Sequence, residues 1–201
     1  MRALLFAGAF NPVTKAHIEL AKLALEKTGR EVVIFLPSQS KYIENDQKKS
    51  YALSTTQRLS LLRLCAQKYP WMRISSYDLD QESQPRTYQS LNALKEQGYD
   101  CALLMGDDQF LTMEEKWLHV PEIAKEFGIV CLERTKNVQD EIQKSPFLKK
   151  IEPYVQVIPS PSWSKSVSST KIRAWLSDQE TYRKELEEGL PFSLKEMEET
   201  Q

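Results

Sequence analysis

The chain has 201 residues, nearly equal numbers of acidic and basic side chains, and a formal net charge of −1. This length suits one domain of ordinary size, and the balanced charge argues against a general nucleic-acid binder, which carries a clear basic excess. The N-terminal apolar run is too short for a signal peptide, and no stretch reaches the roughly 20 apolar residues of a membrane span, so we expect a cytoplasmic protein without a membrane segment.

Short apolar runs alternate along the chain with longer amphipathic segments. The runs predicted as strands are, in chain order, 3–6, 31–36, 72–77, 101–105, 129–132 and 155–158. The segments predicted as helices are 17–27, a helix from the capping box Ser54–Gln57 to about 67, 87–97, a short helix from Pro121 to before Gly128, and most of 170–201. The polar, lysine-rich stretch 38–50 has no clear period and predicts a long exposed loop.

Strands that alternate with helices predict an α/β protein, a Rossmann-like doubly wound parallel sheet followed by C-terminal helices. We find no repeat, low-complexity tract or linker, and therefore expect a single domain over 1–201, with 169–201 as its helical C-terminal part. The cysteines Cys65, Cys101 and Cys131 are widely spaced and form no Cys-x-x-Cys pair, which predicts reduced thiols and neither a disulfide frame nor a metal site.

The first candidate cluster follows the first predicted strand and leads into a helix. It comprises Gly8, Ala9, Phe10, Asn11, Pro12, Val13, Thr14, Lys15, Ala16 and His17. Backbone N–H groups and the helix dipole at such a turn favour a bound phosphate. No P-loop pattern is present, and an isolated histidine is more often an ordinary surface or core residue.

The second cluster, Ser168 to Arg173, also enters a helix from a loop. Hydroxyl groups at a helix start are most often caps. Here Lys171 and Arg173 follow within the first turn, against the usual preference for acids at that end. A bound polyphosphate would explain why basic residues stand where acids are usual, because it supplies negative charge. The alternative is a simple helix cap followed by two solvated cations, and this segment alone does not favour either.

The third cluster is Gly106-Asp107-Asp108, with Trp117 further along the chain. Acids that end a strand can bind a ribose hydroxyl or Mg²⁺, or can simply begin a turn. This cluster alone therefore indicates little.

Taken together, the clusters resemble the nucleotidyltransferase superfamily. The first is similar to its (His/Thr)-x-Gly-His loop, and the Ser168–Arg173 run is similar to its second motif at a helix start. Within that superfamily the spelling most resembles the nicotinamide/nicotinate mononucleotide adenylyltransferases, including Gly106-x-Asp108…Trp117, the helix that begins at Thr87, and the strand that ends in Arg134. Ala16 replaces the usual glycine, and Ser40-Lys41-Tyr42 and Lys48-Lys49 replace the Pro-Pro-His-Lys segment of many bacterial members.

The resemblance implies that an acceptor phosphate attacks the α-phosphorus of ATP and releases pyrophosphate, with Mg²⁺ as cofactor. It places His17, Lys171 and Arg173 in catalysis. The residues implied at ATP are Gly8, Ala9, Phe10, Thr14, His17, Gly106, Asp108, Ser168, Ser169, Thr170 and Arg173. The residues implied at the pyridine mononucleotide are Asn11, Thr87, Trp117, Arg134 and, as the other candidate aromatic wall, Trp71.

Two alternatives stay open at this point. One is a transferase of the same fold that acts on phosphopantetheine or a cytidylyl acceptor, and the other is a nucleotide-binding sensor without catalysis. The sequence also leaves open the choice between nicotinamide and nicotinate, the role of the Lys41–Lys49 loop and the formation of a homo-oligomer. We expect only small-molecule partners, with no nucleic acid.

Overall fold

The structure of the chain, a computed structural model, describes residues 1–45 and 53–199. Lys48 and Lys49 of the expected lysine-rich loop lie outside the described residues. None of the helices in the described ranges is long and apolar enough to cross a membrane.

The described residues form six strands and a series of helices. The strands are β1 (Arg2–Gly8), β2 (Val32–Pro37), β3 (Met72–Ile74), β4 (Asp100–Gly106), β5 (Ile129–Glu133) and β6 (Val155–Pro159). The helices are α1 (Lys15–Thr28), α2 (Ser40–Asn45), α3 (Thr55–Lys68), α4 (Thr87–Glu96), α5 (Asp107–Phe110), α6 (Met113–Lys116), α7 (Val120–Phe127), α8 (Val138–Lys144), α9 (Pro146–Ile151), α10 (Ser169–Leu176), α11 (Arg183–Gly189) and α12 (Leu194–Glu198).

The strands make one parallel sheet in the order β3-β2-β1-β4-β5-β6. This is the strand order of the Rossmann fold, so the predicted α/β class is confirmed. Arg2 of β1 pairs with Asp100 of β4, and Leu103 of β4 pairs with Ile129 of β5. Every residue of β2 is buried, as expected for a parallel strand that is covered on both faces and reads as a continuous apolar run.

The chain divides into two compact units, each made of three segments. The first unit comprises Met1–Phe6, Ala21–Val33 and Pro85–Lys165, and its core contains Leu4, Leu5, Leu91, Leu103, Phe110 and Ile123. The second unit comprises Ala7–Leu20, Ile34–Gln84 and Ser166–Gln201, and its core contains Phe35, Ile43, Leu61, Leu62, Ile172 and Leu186. The single domain over 1–201 stays a prediction; within 169–199 lie α10, α11 and α12.

Three segments differ from the expectation. The loop predicted over 38–50 contains helix α2, because Ile43 is fully buried and anchors it. Strand β3 ends at Ile74, and Ser76 then accepts turn hydrogen bonds from the backbone of Leu79 and Asp80. Helices α8 and α9 were not predicted, although Asn137 and Ser145 cap them through side-chain hydrogen bonds.

Candidate functional site: two motifs joined in one unit

The loop between β1 and α1 has an unusual backbone at Phe10. Phe10 has φ = 44°, in the left-handed region that a bulky aromatic residue rarely adopts. Its side chain is buried, and its ring lies 5.2 Å from the ring of Phe35. The carbonyl of Gly8, at the end of β1, accepts a 2.9 Å hydrogen bond from the backbone of Ser38. The backbone of Phe10 is therefore unfavourable in isolation, and packing against Phe35 and the hydrogen bond from Ser38 stabilise the loop conformation.

Thr14 and His17 form a reciprocal cap at the start of α1. The backbone N–H of His17 donates to Thr14 Oγ1 over 3.3 Å, and His17 Nδ1 accepts from the backbone N–H of Thr14 over 3.0 Å. This arrangement is a capping box with an imidazole in place of the usual carboxylate or amide. Because an N–H group can only donate, Nδ1 is the acceptor, and the proton of the neutral ring is on Nε2.

The ring of His17 is fixed on its other side as well. The ring of Phe10 packs edge to face against it, with centroids 5.3 Å apart and an interplanar angle of 73°. Thr14 is fully buried, and its hydroxyl lies 2.8 Å from His17 Nδ1. The cap and the Phe10 contact together orient Nε2–H as the donor of this histidine.

Helix α10 is hydrogen-bonded directly to the same loop. Ser169 Oγ donates to the carbonyl of Pro12 over 2.9 Å, and Arg173 Nη1 donates to the carbonyl of Asn11 over 2.8 Å. Ser168 caps the helix by accepting from the backbone of Lys171. The first and second motifs, about 160 residues apart in sequence, are therefore neighbours in the second unit.

The remaining second-unit candidates have more varied surroundings. Thr170 and Lys171 are exposed, and Lys171 Nζ donates to the carbonyl of Ser166 over 2.9 Å. Asn11 is buried, and its Oδ1 has no hydrogen-bond partner among the described residues. Trp71 is half-buried, with its ring 5.7 Å from that of Tyr69.

In the first unit, the buried acid at the end of β4 is Asp107, which anchors the loop after β5. Asp107 Oδ2 accepts from the backbone of Arg134, Thr135 and Lys136 over 3.1, 2.6 and 3.0 Å, and from Thr135 Oγ1 over 2.8 Å. Burial alone would raise the pKa of the Asp107 carboxyl, but these hydrogen bonds outweigh burial and hold its pKa below the ordinary value. Asp107 is therefore an ionised structural anchor.

Asp108, by contrast, is exposed and directly follows this anchor. A Cβ on Gly106 would lie 2.6 Å from Asp108 Oδ1, so the glycine allows the carboxylate to approach the backbone. Arg134 Nη2 donates to the carbonyl of Ser164 over 2.6 Å. Thr87, the first residue of α4, and Trp117 are both half-buried in the same unit.

Comparison with known proteins identifies the family of the chain. The sequence model described as cytidylyltransferase-like matches residues 5–175. The chain belongs to the cytidylyltransferase-like family.

Relatives of this nucleotidyltransferase carry a common name. A protein of Aquifex aeolicus named probable nicotinate-nucleotide adenylyltransferase is 32% identical over 133 residues, which cover 65% of this chain and 76% of that protein. A protein of Caldicellulosiruptor bescii with the same name is 25% identical over 186 residues, covering 91% of this chain and 90% of that one. These relatives confirm the family predicted from the motifs.

A solved structure shares the fold of this cytidylyltransferase-like chain. It is the Plasmodium falciparum nicotinic acid mononucleotide adenylyltransferase complexed with NaAD, which is 18% identical. The match has a TM-score of 0.75 and covers 98% of this chain and 95% of that one.

The second unit of this nucleotidyltransferase is suited to bind an anion. The first turns of α1 and α10 contain no acid, while Lys15 begins α1 and Lys171 lies in the first turn of α10. Arg173, expected in that first turn, lies in the last turn of α10, and its guanidinium reaches back to Thr170 Oγ1. Helix N-termini carry partial positive charge and free backbone donors, so each of these starts favours a phosphate.

One residue of the second unit escaped the sequence analysis. Arg58 lies in α3, is fully buried, and donates to the carbonyls of Ala9 and Ser38. Its position three, four and seven residues before Leu61, Leu62 and Cys65 places it on the buried stripe of that helix. A charged residue on an apolar stripe is the signal that would have identified it.

Proposed function

We propose that this nucleotidyltransferase joins the adenylyl group of ATP to nicotinate mononucleotide, releasing pyrophosphate and forming the deamido form of NAD. The observation that carries this proposal is the direct link between the two motifs, in which Arg173 and Ser169 of α10 are bonded to the loop that orients His17. The names of the relatives support adenylyl transfer and favour the nicotinate form of the acceptor.

In the proposed reaction, a phosphate oxygen of the acceptor attacks the α-phosphorus of ATP. The bond between that phosphorus and the bridging oxygen to the β-phosphate breaks, and pyrophosphate leaves with the electron pair. No covalent intermediate on the protein is required. Catalysis then depends on positioning and on stabilising the charge that develops on the phosphate oxygens.

His17 is the proposed donor to the α-phosphate, through Nε2–H. Lys171 and Arg173 are proposed to hold the β- and γ-phosphates, with Ser168, Ser169 and Thr170 at the helix start. A helix N-terminus with two cations beside it provides both the donors and the charge that a triphosphate needs. Thr14 is proposed to act on ATP through His17, since its hydroxyl and N–H are both directed at that ring.

The other assignments from the sequence stand as proposals. Gly8, Ala9 and Phe10 of the loop, and Gly106 and Asp108 of the first unit, are proposed to contact ATP. The residues proposed for the mononucleotide are Asn11, Thr87, Trp71, Trp117 and Arg134. The unpartnered, buried Oδ1 of Asn11 supports a ligand contact, because a buried polar atom is costly unless a partner satisfies it.

Mg²⁺ is proposed to enter with ATP as part of the substrate. In the described ranges, no group of three or more His, Cys, Asp or Glu side chains is arranged to hold a resident metal ion. Magnesium keeps several waters and binds nucleotide phosphates with few protein ligands. The proposed substrates are thus MgATP and a pyridine mononucleotide, and the proposed location is the cytoplasm.

Pyrophosphate release with ATP and Mg²⁺ tests the proposal, with nicotinate mononucleotide, nicotinamide mononucleotide and phosphopantetheine as parallel acceptors. Turnover with nicotinate mononucleotide well above the other two is expected. Turnover with phosphopantetheine alone would keep the chemistry and overturn the acceptor. Binding of ATP without pyrophosphate release from any acceptor would overturn the proposed function in favour of a sensor.

A further inference from the structure

Arg58 places a positive charge in the interior of the second unit. Its side chain is fully buried, and Nη1 donates to the carbonyl of Ala9 over 2.6 Å. Nη2 donates to the carbonyl of Ser38 over 2.9 Å, to Ser40 Oγ over 3.1 Å and to Thr55 Oγ1 over 3.3 Å. Burying a guanidinium is unfavourable unless its donors are satisfied, and these four acceptors, which serve Nη1 and Nη2, offset part of that cost.

The two carbonyls that Arg58 contacts follow neighbouring strands. Ala9 follows β1 and Ser38 follows β2. The backbone of Ser38 also donates to the carbonyl of Gly8. Arg58 therefore fastens helix α3 to the ends of both strands through one planar group, a geometry that suits guanidinium better than ammonium.

The carbonyl of Ala9 belongs to the peptide that enters the strained residue of the loop. Turning that carbonyl turns the N–H of Phe10, whose φ of 44° is unfavourable for an aromatic residue. Such a conformation persists only where its surroundings determine it. The ring of Phe10 packs in turn on the ring of His17, so the orientation of the histidine depends on the peptide that Arg58 holds.

We propose that Arg58 is a positioning residue for adenylyl transfer, which holds the loop of Ala9 and Phe10 in the conformation that presents His17 to ATP. This inference rests on the proposed function and adds to it a residue outside both motifs. Arg58 has no direct role at the reacting atoms. It acts through the backbone of Ala9 and the ring of Phe10.

Arg30 of the first unit provides a matched control. Its Nη1 donates to the carbonyls of Ala3 and Asp100 over 3.1 and 2.6 Å, so it also joins two strands through a guanidinium. Ala3 and Asp100 lie at the starts of β1 and β4, whereas Ala9 lies just past the end of β1. An arginine that only stabilises the sheet should behave like Arg30.

The test compares R58K and R30K with the unsubstituted protein, well below their thermal unfolding midpoints. Lysine keeps the charge but cannot reach both carbonyls as a planar fork. Both variants are expected to have a lower unfolding midpoint. R58K alone should lose about 10- to 100-fold in kcat, because a small misplacement of a catalytic group costs about that much. Its KM for the mononucleotide should stay within about twofold, since the Ala9–Phe10 peptide is proposed to contact ATP, and the carbonyl of Asn11, which is proposed for the acceptor, is held separately by Arg173.

Two binding and spectroscopic measurements separate the possible failures. Titration calorimetry with Mg²⁺ and α,β-methylene ATP should show weaker binding by R58K than by R30K, and the ring ¹⁵N resonances of His17 should shift in R58K only. Equal losses of kcat and of analogue affinity in R58K and R30K would overturn the role of Arg58. An R58K variant with unchanged kcat and analogue affinity would overturn it as well. Absence of turnover by the unsubstituted protein would instead overturn the proposed function, and the calorimetric comparison would still decide whether Arg58 shapes the nucleotide site.

Discussion

The backbone nitrogen of Thr14 lies 3.0 Å from Nδ1 of His17 and donates its hydrogen to that atom. This hydrogen bond completes the cap at the start of α1 and at the same time sets the tautomer of the imidazole. A histidine with Nδ1 occupied in this way presents Nε2–H to any ligand. The local chemistry of a helix start thus determines which end of the proposed catalytic side chain is the donor.

Removing the hydroxyl of Thr14 should weaken the cap and leave the tautomer intact. In T14V the backbone N–H still donates to His17 Nδ1, while the bond from His17 N–H to Oγ1 is lost. We expect a loss of about 1 kcal/mol in the free energy of unfolding, the usual cost of a lost N-cap. Chemical denaturation measures this loss, and ¹⁵N NMR of the ring reports the tautomer. T14S, which retains the hydroxyl, should match the unsubstituted protein; a protonated Nδ1 in either variant would contradict the assignment.

Substituting His17 should abolish most activity without unfolding the chain. H17A removes the proposed donor to the α-phosphate, and loss of one such contact costs about 10²–10³ in kcat. Pyrophosphate release measures the change, and circular dichroism checks the fold. The control is H119N: His119 is exposed and has φ = 60°, which asparagine tolerates. Turnover by H17A within a few-fold of the unsubstituted rate would remove His17 from the mechanism.

Asp107 should contribute more to stability than its exposed neighbour Asp108. In the unsubstituted protein, the backbone N–H of Asp108 donates to Asp107 Oδ1 over 3.0 Å. In D107N, the amide oxygen can still accept from the loop donors, but the NH₂ group then faces the N–H of Asp108, and two donors oppose each other. We expect a loss of about 2 kcal/mol, the range for hydrogen bonds to a charged group. Urea denaturation of D107N and D108N measures the difference, and equal losses would refute the anchoring role.

The lowered pKa of Asp107 predicts that the free energy of unfolding depends on pH. Because the pKa of Asp107 is lowered in the folded protein, its stabilisation is present above the unfolded pKa and decreases as the pH falls through the folded pKa. The unfolding midpoint of the unsubstituted protein should therefore decrease on acidification more than that of D107N. Parallel pH profiles for the two proteins would argue against this linkage.

Glu196 should make the docking of the last helix sensitive to acid. Its pKa is lowered from 4.5 to about 2, first by the hydrogen bond from Lys68 Nζ and then by those from the backbone and hydroxyl of Ser193. This contribution is present above about pH 4.5 and is lost as the pH falls toward 2. The protection of the α12 amides, measured relative to the intrinsic exchange rate at each pH, should fall in that interval, and E196Q should show low protection already at neutral pH. E198Q, on the same helix at an exposed position, serves as the control.

The sequence predicted the sheet and the two motifs because their signals are local. Continuous apolar runs identify buried parallel strands such as β2, and each motif spans at most ten consecutive residues. The same local reasoning predicted the cap of Ser54 and Gln57, whose reciprocal hydrogen bonds are present in the structure. The predicted adenylyltransferase agrees with the names of the relatives.

Features that depend on distant contacts could not be predicted. Arg58 and Ala9 are 49 residues apart, and Asp107 and Thr135 are 28 apart, so no window of sequence contains either pair. Sequence alone also could not tell which of two adjacent acids is buried, and Asp107, which was not assigned to the site, proved to be the anchored one. Helices α8 and α9 have seven and six residues, too few to show a reliable 3.6-residue period.

The hydrogen bond from Arg173 to the carbonyl of Asn11 has a consequence for affinity. A free arginine side chain has rotamer entropy worth about 2 kcal/mol, which a flexible ligand contact would lose when the ligand binds. Here Nη1 is already tied to the loop and Nη2 lies 3.3 Å from Thr170 Oγ1, so most of that ordering occurs when the chain folds. An anion that reaches α10 meets a guanidinium already set in place, and more of its interaction energy remains as affinity.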